Sequence, residues 1–144
     1  MIAGIYRIIS AVVALLLAMA LLGCGSGFKW DGEWKGNRDL KVKPGDNPGI
    51  ARTMGQVTLT IDSGAFKMSE AGVPYTGSVR IDGDKAFLKI ETRMNIPIEK
   101  EPKEVQDQIK EIELTSRTDG KIDFYDPAGF FTEPVTIERQ PAKT

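Results

Sequence analysis

From Gln56 to Ile90 the chain reads QVTLTIDSGAFKMSEAGVPYTGSVRIDGDKAFLKI. Val57, Leu59 and Ile61 alternate with Thr58 and Thr60, the two-residue period of a strand that buries one face. Asp62-Ser63-Gly64 carries turn chemistry. Phe66 and Met68 resume the alternation, and Ala71-Gly72 turns the chain again. Val73, Tyr75, Gly77, Val79 and Ile81 share one face of a longer strand. Asp82-Gly83-Asp84 is a hairpin signal, after which Ala86, Leu88 and Ile90 return. Four strands joined this tightly read as an antiparallel meander.

The pattern extends in both directions. Upstream, Trp34, Gly36, Arg38 and Leu40 fall on one face of a first strand, with Glu33, Lys35, Asn37 and Asp39 opposite. Lys41 to Gly55 follows as a long polar loop, because Pro44, Gly45, Asp46, Asn47, Pro48 and Gly49 break strand and helix alike. Downstream, Pro102 suits the first turn of a helix. Val105, Ile109 and Ile112 repeat at helical spacing, which predicts a short helix over residues 102–109. Ile112 and Leu114, then Ile122 and Phe124 across an Asp119-Gly120 turn, then Val135, Ile137 and Arg139 make three more strands. The expected fold class is mainly β: an antiparallel up-and-down β-barrel of about eight strands, with one short helix between strands five and six. Closure would remove the exposed edges.

Composition narrows the chemistry. The chain has 144 residues, 19 Lys and Arg against 20 Asp and Glu, one cysteine and no histidine. Charges of both signs are interspersed with no basic stripe, so no nucleic-acid partner is expected. The missing histidine removes the commonest general base and metal ligand, so neither an enzyme nor a metal or other cofactor is expected. Three local patterns have plain explanations. Ser26 and Lys29 match a serine–lysine spacing without its companion motifs. Asp82 and Asp84 lack the further oxygen ligands of a calcium loop. Glu99 and Glu101 flank Lys100, and Glu101 suits a helix N-terminus.

Ile8 to Gly23 is uncharged and almost wholly apolar, follows Arg7, and is shorter than the roughly 20 residues of a spanning helix. Leu21-Leu22-Gly23-Cys24 then resembles a bacterial lipobox. The resemblance implies a lipoprotein signal peptide over residues 1–23. Cys24 would be the lipidation site, carrying the acyl chains that attach the protein to a membrane. Residues 24–30 would form a tether, and 31–140 the barrel domain. A thiolate is the nucleophile that such a thioether requires. Gly25 rather than Asp follows Cys24, which in that family implies the outer membrane of a two-membrane envelope, on its periplasmic or surface face. Two alternatives stay open: an uncleaved membrane helix lengthened by Met1 to Tyr6, and an incidental cysteine.

Gly32-Glu33-Trp34 resembles the G-x-W signature of lipocalins and the wider calycin group. That resemblance implies that Trp34 and Arg139 close the barrel, with the last-strand guanidinium over the first-strand indole. It also implies that the loop from Lys41 covers the mouth. The helix departs from the family, where it follows strand eight. An eight-stranded barrel either fills its interior or holds one small ligand, and both remain open here. A ligand would meet Arg38, Phe66, Tyr75, Leu88 and Phe124. The function expected is thus a membrane-anchored envelope lipoprotein that binds a small apolar ligand. The alternative is a structural or inhibitory lipoprotein with a filled core and an envelope-protein partner, met through Lys41–Gly55 or the loop bearing Phe130 and Phe131.

Overall fold

The computed structural model describes residues 27–41, 45 and 47–142. The expected signal peptide, Cys24 and the first residues of the tether lie outside the described residues, as do Pro44 and Asp46.

The fold is mainly β. In chain order the strands are β1 (Gly32–Asn37), β2 (Gln56–Asp62), β3 (Ala65–Glu70), β4 (Val73–Asp82), β5 (Lys85–Arg93), β6 (Ile96–Pro97), β7 (Ile112–Ser116), β8 (Ile122–Tyr125) and β9 (Val135–Arg139). Neighbouring strands pair antiparallel, and β9 returns to β1 through Trp34 opposite Arg139 and Lys35 opposite Glu138. Eight strands thus close into an up-and-down barrel, while the two-residue β6 only doubles back on β5. Closure pairs the edges that an open sheet would expose.

Local chemistry sets the register. Ser63 and Gly64 have φ of 51° and 83°, and Ala71 and Gly72 have 51° and 81°. Two consecutive left-handed residues make the tight hairpin turn whose twist suits the flanking strands. They bring Leu59 opposite both Trp34 and Met68, and Phe66 opposite both Ile61 and Gly77. One continuous core results, with Val57, Leu59, Leu88, Ile112, Leu114, Ile122, Phe124 and Ile137 at 0–1% exposure. Leu40, expected on the inward face, lies beyond β1 and is only half-buried.

Two helices decorate the barrel. The first, α1 (Pro48–Gly55), corrects the expectation that Lys41–Gly55 is all loop. Asn47 caps it by accepting a hydrogen bond from the Gly49 amide at 2.9 Å, and Pro48 occupies the first turn. Residues read as breakers here act as a helix start. The second, α2 (Lys103–Gln108), lies after β6 and before β7, preceded by a single 3₁₀ turn at Ile98–Lys100. Its Val105 and the following Ile109 are half-buried, and Ile109 packs against the barrel core.

Gly77 marks a bulge, where the β4–β5 register shifts between Thr76 and Gly77. A Cβ there would run into the Lys89 carbonyl and stand 2.8 Å from Phe66 Cε1. Gly77→Ala is therefore expected to cost about 3 kcal/mol, the upper part of the overpacking range. A urea midpoint within error of the parent would show that β5 yields freely there.

Topology gives the barrel two unlike ends. The tight turns after β2, β4 and β7 share one end with the entry to β1 and the exit from β9. The longer connections share the other: the segment carrying α1, the segment carrying α2, and the loop Asp126–Pro134 between β8 and β9.

Candidate functional site

The tight-turn end is sealed by aromatic packing. Trp34 is 1% exposed, and its Nε1 donates to the Trp30 carbonyl at 3.0 Å. Phe28 stacks on Trp34 with ring centroids 5.6 Å apart, and meets Trp30 edge-on at 4.7 Å. The Arg139 guanidinium lies 4.3 Å from the centre of the Trp34 ring. It also donates to the carbonyls of Lys29 and Asp31. Gly32, at φ +142°, leaves the room that guanidinium occupies. Residues 28–30, expected within a tether, thus pack as the floor of the barrel.

The other end holds charge. Alternation along β1 carries Arg38 inward just past the strand, and along β3 it carries Glu70 inward after Phe66 and Met68. Asp126 follows Ile122 and Phe124 on the same parity. Glu70 is 2% exposed and Asp126 6%. Arg38 Nη2 stands 2.9 Å from Glu70 Oε1, with the Arg38 side chain 10% exposed. The approach lacks hydrogen-bond alignment, and Arg38 Nε and Nη1 have no hydrogen-bond partner among the described residues. The Phe131 ring covers the guanidinium face at 4.3 Å. Asp126 lies against Glu70 and accepts from the Ala128 amide at 2.8 Å. Tyr75 pairs across the sheet with Arg93, which meets Glu101 at 3.8 Å.

Burial pushes the Glu70 carboxyl up to about 7, with the charge of Asp126 adding to it and that of Arg38 opposing it. Burial also raises Tyr75, held back by the neighbouring Arg93. A folded chain that keeps the Glu70 proton to about pH 7, against the ordinary 4.5, binds more protons than the unfolded chain in between. Its contribution is full below about pH 4.5 and is lost as pH rises through 7. Stability is expected to fall by on the order of 2 kcal/mol from about pH 5 to about pH 8. Urea midpoints across that range measure it. Glu70→Gln should flatten the slope, and an unchanged slope in that variant would assign it elsewhere.

Two clefts open at this end. One, of about 440 Å³, is lined by residues 37–40 and 131–136, including Arg38, Leu40, Phe131 and Pro134. The other, of about 220 Å³, is lined by Tyr75, Arg93, Val105, Ile109, Asp126 and Phe130 among others. Of the side chains expected to meet a ligand, Arg38 and Tyr75 therefore reach these two clefts, and Phe66 edges a separate one against β2, β4 and β5. Phe66, Leu88 and Phe124 are 2%, 0% and 0% exposed and pack within the core. Glu70 and Asp126 were missed. The signal that finds them is the same alternation, which places two acids at the ends of apolar inward stripes.

Asp82 and Asp84 flank a hairpin turn, Glu99 is exposed, and Ser26 lies outside the described residues. Among the described residues no three potential metal ligands group together, and no helix is long and apolar enough to cross a membrane. No family model, curated protein or solved structure matches the chain.

Proposed function

We propose that this chain is a lipid-anchored binding module of a bacterial cell envelope, built on a lipocalin-like barrel, which holds a small apolar molecule at its open end. The observation that carries this reading is the cleft beside Arg38. It has apolar walls from Leu40, Phe131 and Pro134 around a guanidinium with unmet donors. Unmet buried donors cost free energy unless a partner arrives. The lipocalin-like assignment is supported by Gly32, Trp34 and Arg139, which stand together at the sealed end. The anchor is supported by Leu21-Leu22-Gly23-Cys24, with Cys24 the only cysteine. An outer-membrane residence on the periplasmic or surface face goes with Gly25. The protein works by binding, without a catalytic role.

Native mass spectrometry of the lipidated protein purified from membranes tests the reading. A co-purified small molecule, released on unfolding, is the expected result. A clean unliganded mass that no added apolar compound changes would count against it. A second reading is a structural or inhibitory lipoprotein that meets an envelope protein. It is favoured by the packed core and by Ile50 and Phe130, each 63% exposed, on the open-end connections. A stoichiometric partner recovered from envelope extract, lost in a Phe130→Ser, Ile50→Ser double variant, would turn the choice to it.

A further inference from the structure

We propose that the cleft beside Arg38 binds a small carboxylic acid with a compact apolar body, whose carboxylate displaces Glu70 from the guanidinium. This rests on the binding-module reading and adds to it the chemical class of the ligand and a link to protons.

The geometry of the pair is the starting point. A carboxylate grips arginine best through two parallel hydrogen bonds, which need Nη2 together with Nε or Nη1. Glu70 stands at Nη2 but lacks hydrogen-bond alignment, and the other two nitrogens are buried without partners among the described residues. The resident pair therefore satisfies the guanidinium poorly. Both forks use Nη2, so a ligand carboxylate that takes either one competes there with Glu70.

The surroundings let Glu70 leave as a neutral acid. Asp126 presses a like charge on it, and the other charged and titratable groups that line the two clefts or pair there are Asp39, Tyr75, Arg93, Glu101, Lys110 and Glu133. Arg93 meets Glu101, and among the described residues no cation other than Arg38 stands within ion-pair distance of Glu70. Above about pH 7 Glu70 takes one proton from solvent as the ligand binds, which conserves the net charge around Arg38, and below that pH it already carries the proton. With a carboxyl pushed up to about 7, that protonation costs little near neutral pH.

The cleft also limits the body of the ligand. Leu40, Phe131 and Pro134 offer apolar contact, and about 440 Å³ suits a single ring or a short chain. Phe131 covers the guanidinium face, and Nε and Nη1 are buried, so the side chains of this loop must shift for that edge to be reached. Among the described residues, no turn or loop main-chain hydrogen bond ties Phe130 to Pro134. The shift therefore need not break the ladder between β8 and β9.

Fluorine NMR of the full-length protein in detergent, titrated with para-fluorobenzoate, tests this. The probe stays ionised across the working range. Saturable binding is expected, with Kd close to tenfold tighter at about pH 6 than at about pH 8, the change in protonated Glu70 between them. Glu70→Gln should bind tightly at both pH values. Arg38→Met should lose binding by at least about tenfold, with its melt checked beside it. The neutral para-fluorobenzamide should bind far more weakly. Benzamide binding equal to benzoate, a pH dependence that survives Glu70→Gln, or no benzoate binding would each overturn the proposal. A neutral co-purified molecule with silent fluorobenzoate would overturn it and leave the binding-module reading standing. An unliganded protein that takes neither probe would overturn both.

Discussion

Trp34→Ala is expected to lower the stability of the folded domain by about 3–5 kcal/mol, a large share of the roughly 5–15 kcal/mol that holds a domain of this size. Three losses combine. The indole is 1% exposed, so its removal leaves a cavity at the barrel floor. The Trp30 carbonyl loses its donor, and Phe28 and the Arg139 guanidinium lose the ring between them. Trp34→Phe keeps most of the volume but no donor, and should cost about 1–3 kcal/mol. Arg139→Met removes the cation while keeping an apolar stem, and should cost about 1 kcal/mol. Urea unfolding followed by circular dichroism measures all three without relying on the substituted fluorophore. A Trp34→Ala cost below about 1 kcal/mol would mean that the floor re-packs and that β1–β9 pairing alone closes the barrel.

Cys24→Ser is expected to abolish incorporation of a fatty-acid probe altogether and to leave residues 1–23 attached. A serine hydroxyl at neutral pH lacks the nucleophilicity of a thiolate, so the thioether to the lipid cannot form. Metabolic labelling and the intact mass of the expressed chain read both effects. Without its acyl chains the protein also lacks the stable anchoring that more than one chain supplies. Persistence of the label in Cys24→Ser would sink the lipobox reading, and an uncleaved membrane helix over the same apolar stretch would replace it. The barrel should keep its parent urea midpoint, since its core begins at Phe28 and Trp30. Loss of folding in Cys24→Ser would make the membrane part of the fold.

Much of the barrel was written in short-range patterns. The alternation through Val57, Leu59 and Ile61, with Ser63-Gly64 and Ala71-Gly72 as turns, determines strands β2 to β4 and their register. A two-residue side-chain period leaves only one face for the apolar set. The pairing of Trp34 with Arg139 was implied by the resemblance of Gly32-Glu33-Trp34 to the G-x-W signature, and parity by itself only put Arg139 on the face of Val135 and Ile137. The helix at Pro48–Gly55 was hidden by its own start signal. Asn47, Pro48 and Gly49 have the composition of a loop, and only the capping hydrogen bond separates a helix start from a turn.

What the tertiary structure decided lies at the two ends. Packing of Phe28 and Trp30 under Trp34 depends on a floor that exists only once β9 has returned to β1, so a stretch reading as tether becomes core. Arg38, Glu70 and Asp126 are 32 and 56 residues apart in sequence, and each by itself reads as a charged residue at the end of a strand. Closure of the barrel brings three strand ends together and withdraws them largely from water. The Glu70 carboxyl is then pushed up by burial and by Asp126 and held back by Arg38, because burial penalises an isolated charge far more than a shared one. By itself the sequence determined most of the apolar side chains that face inward, through local alternation. It took the closed sheet to decide which of them meet, since contact across a barrel depends on shear and closure that no local window contains.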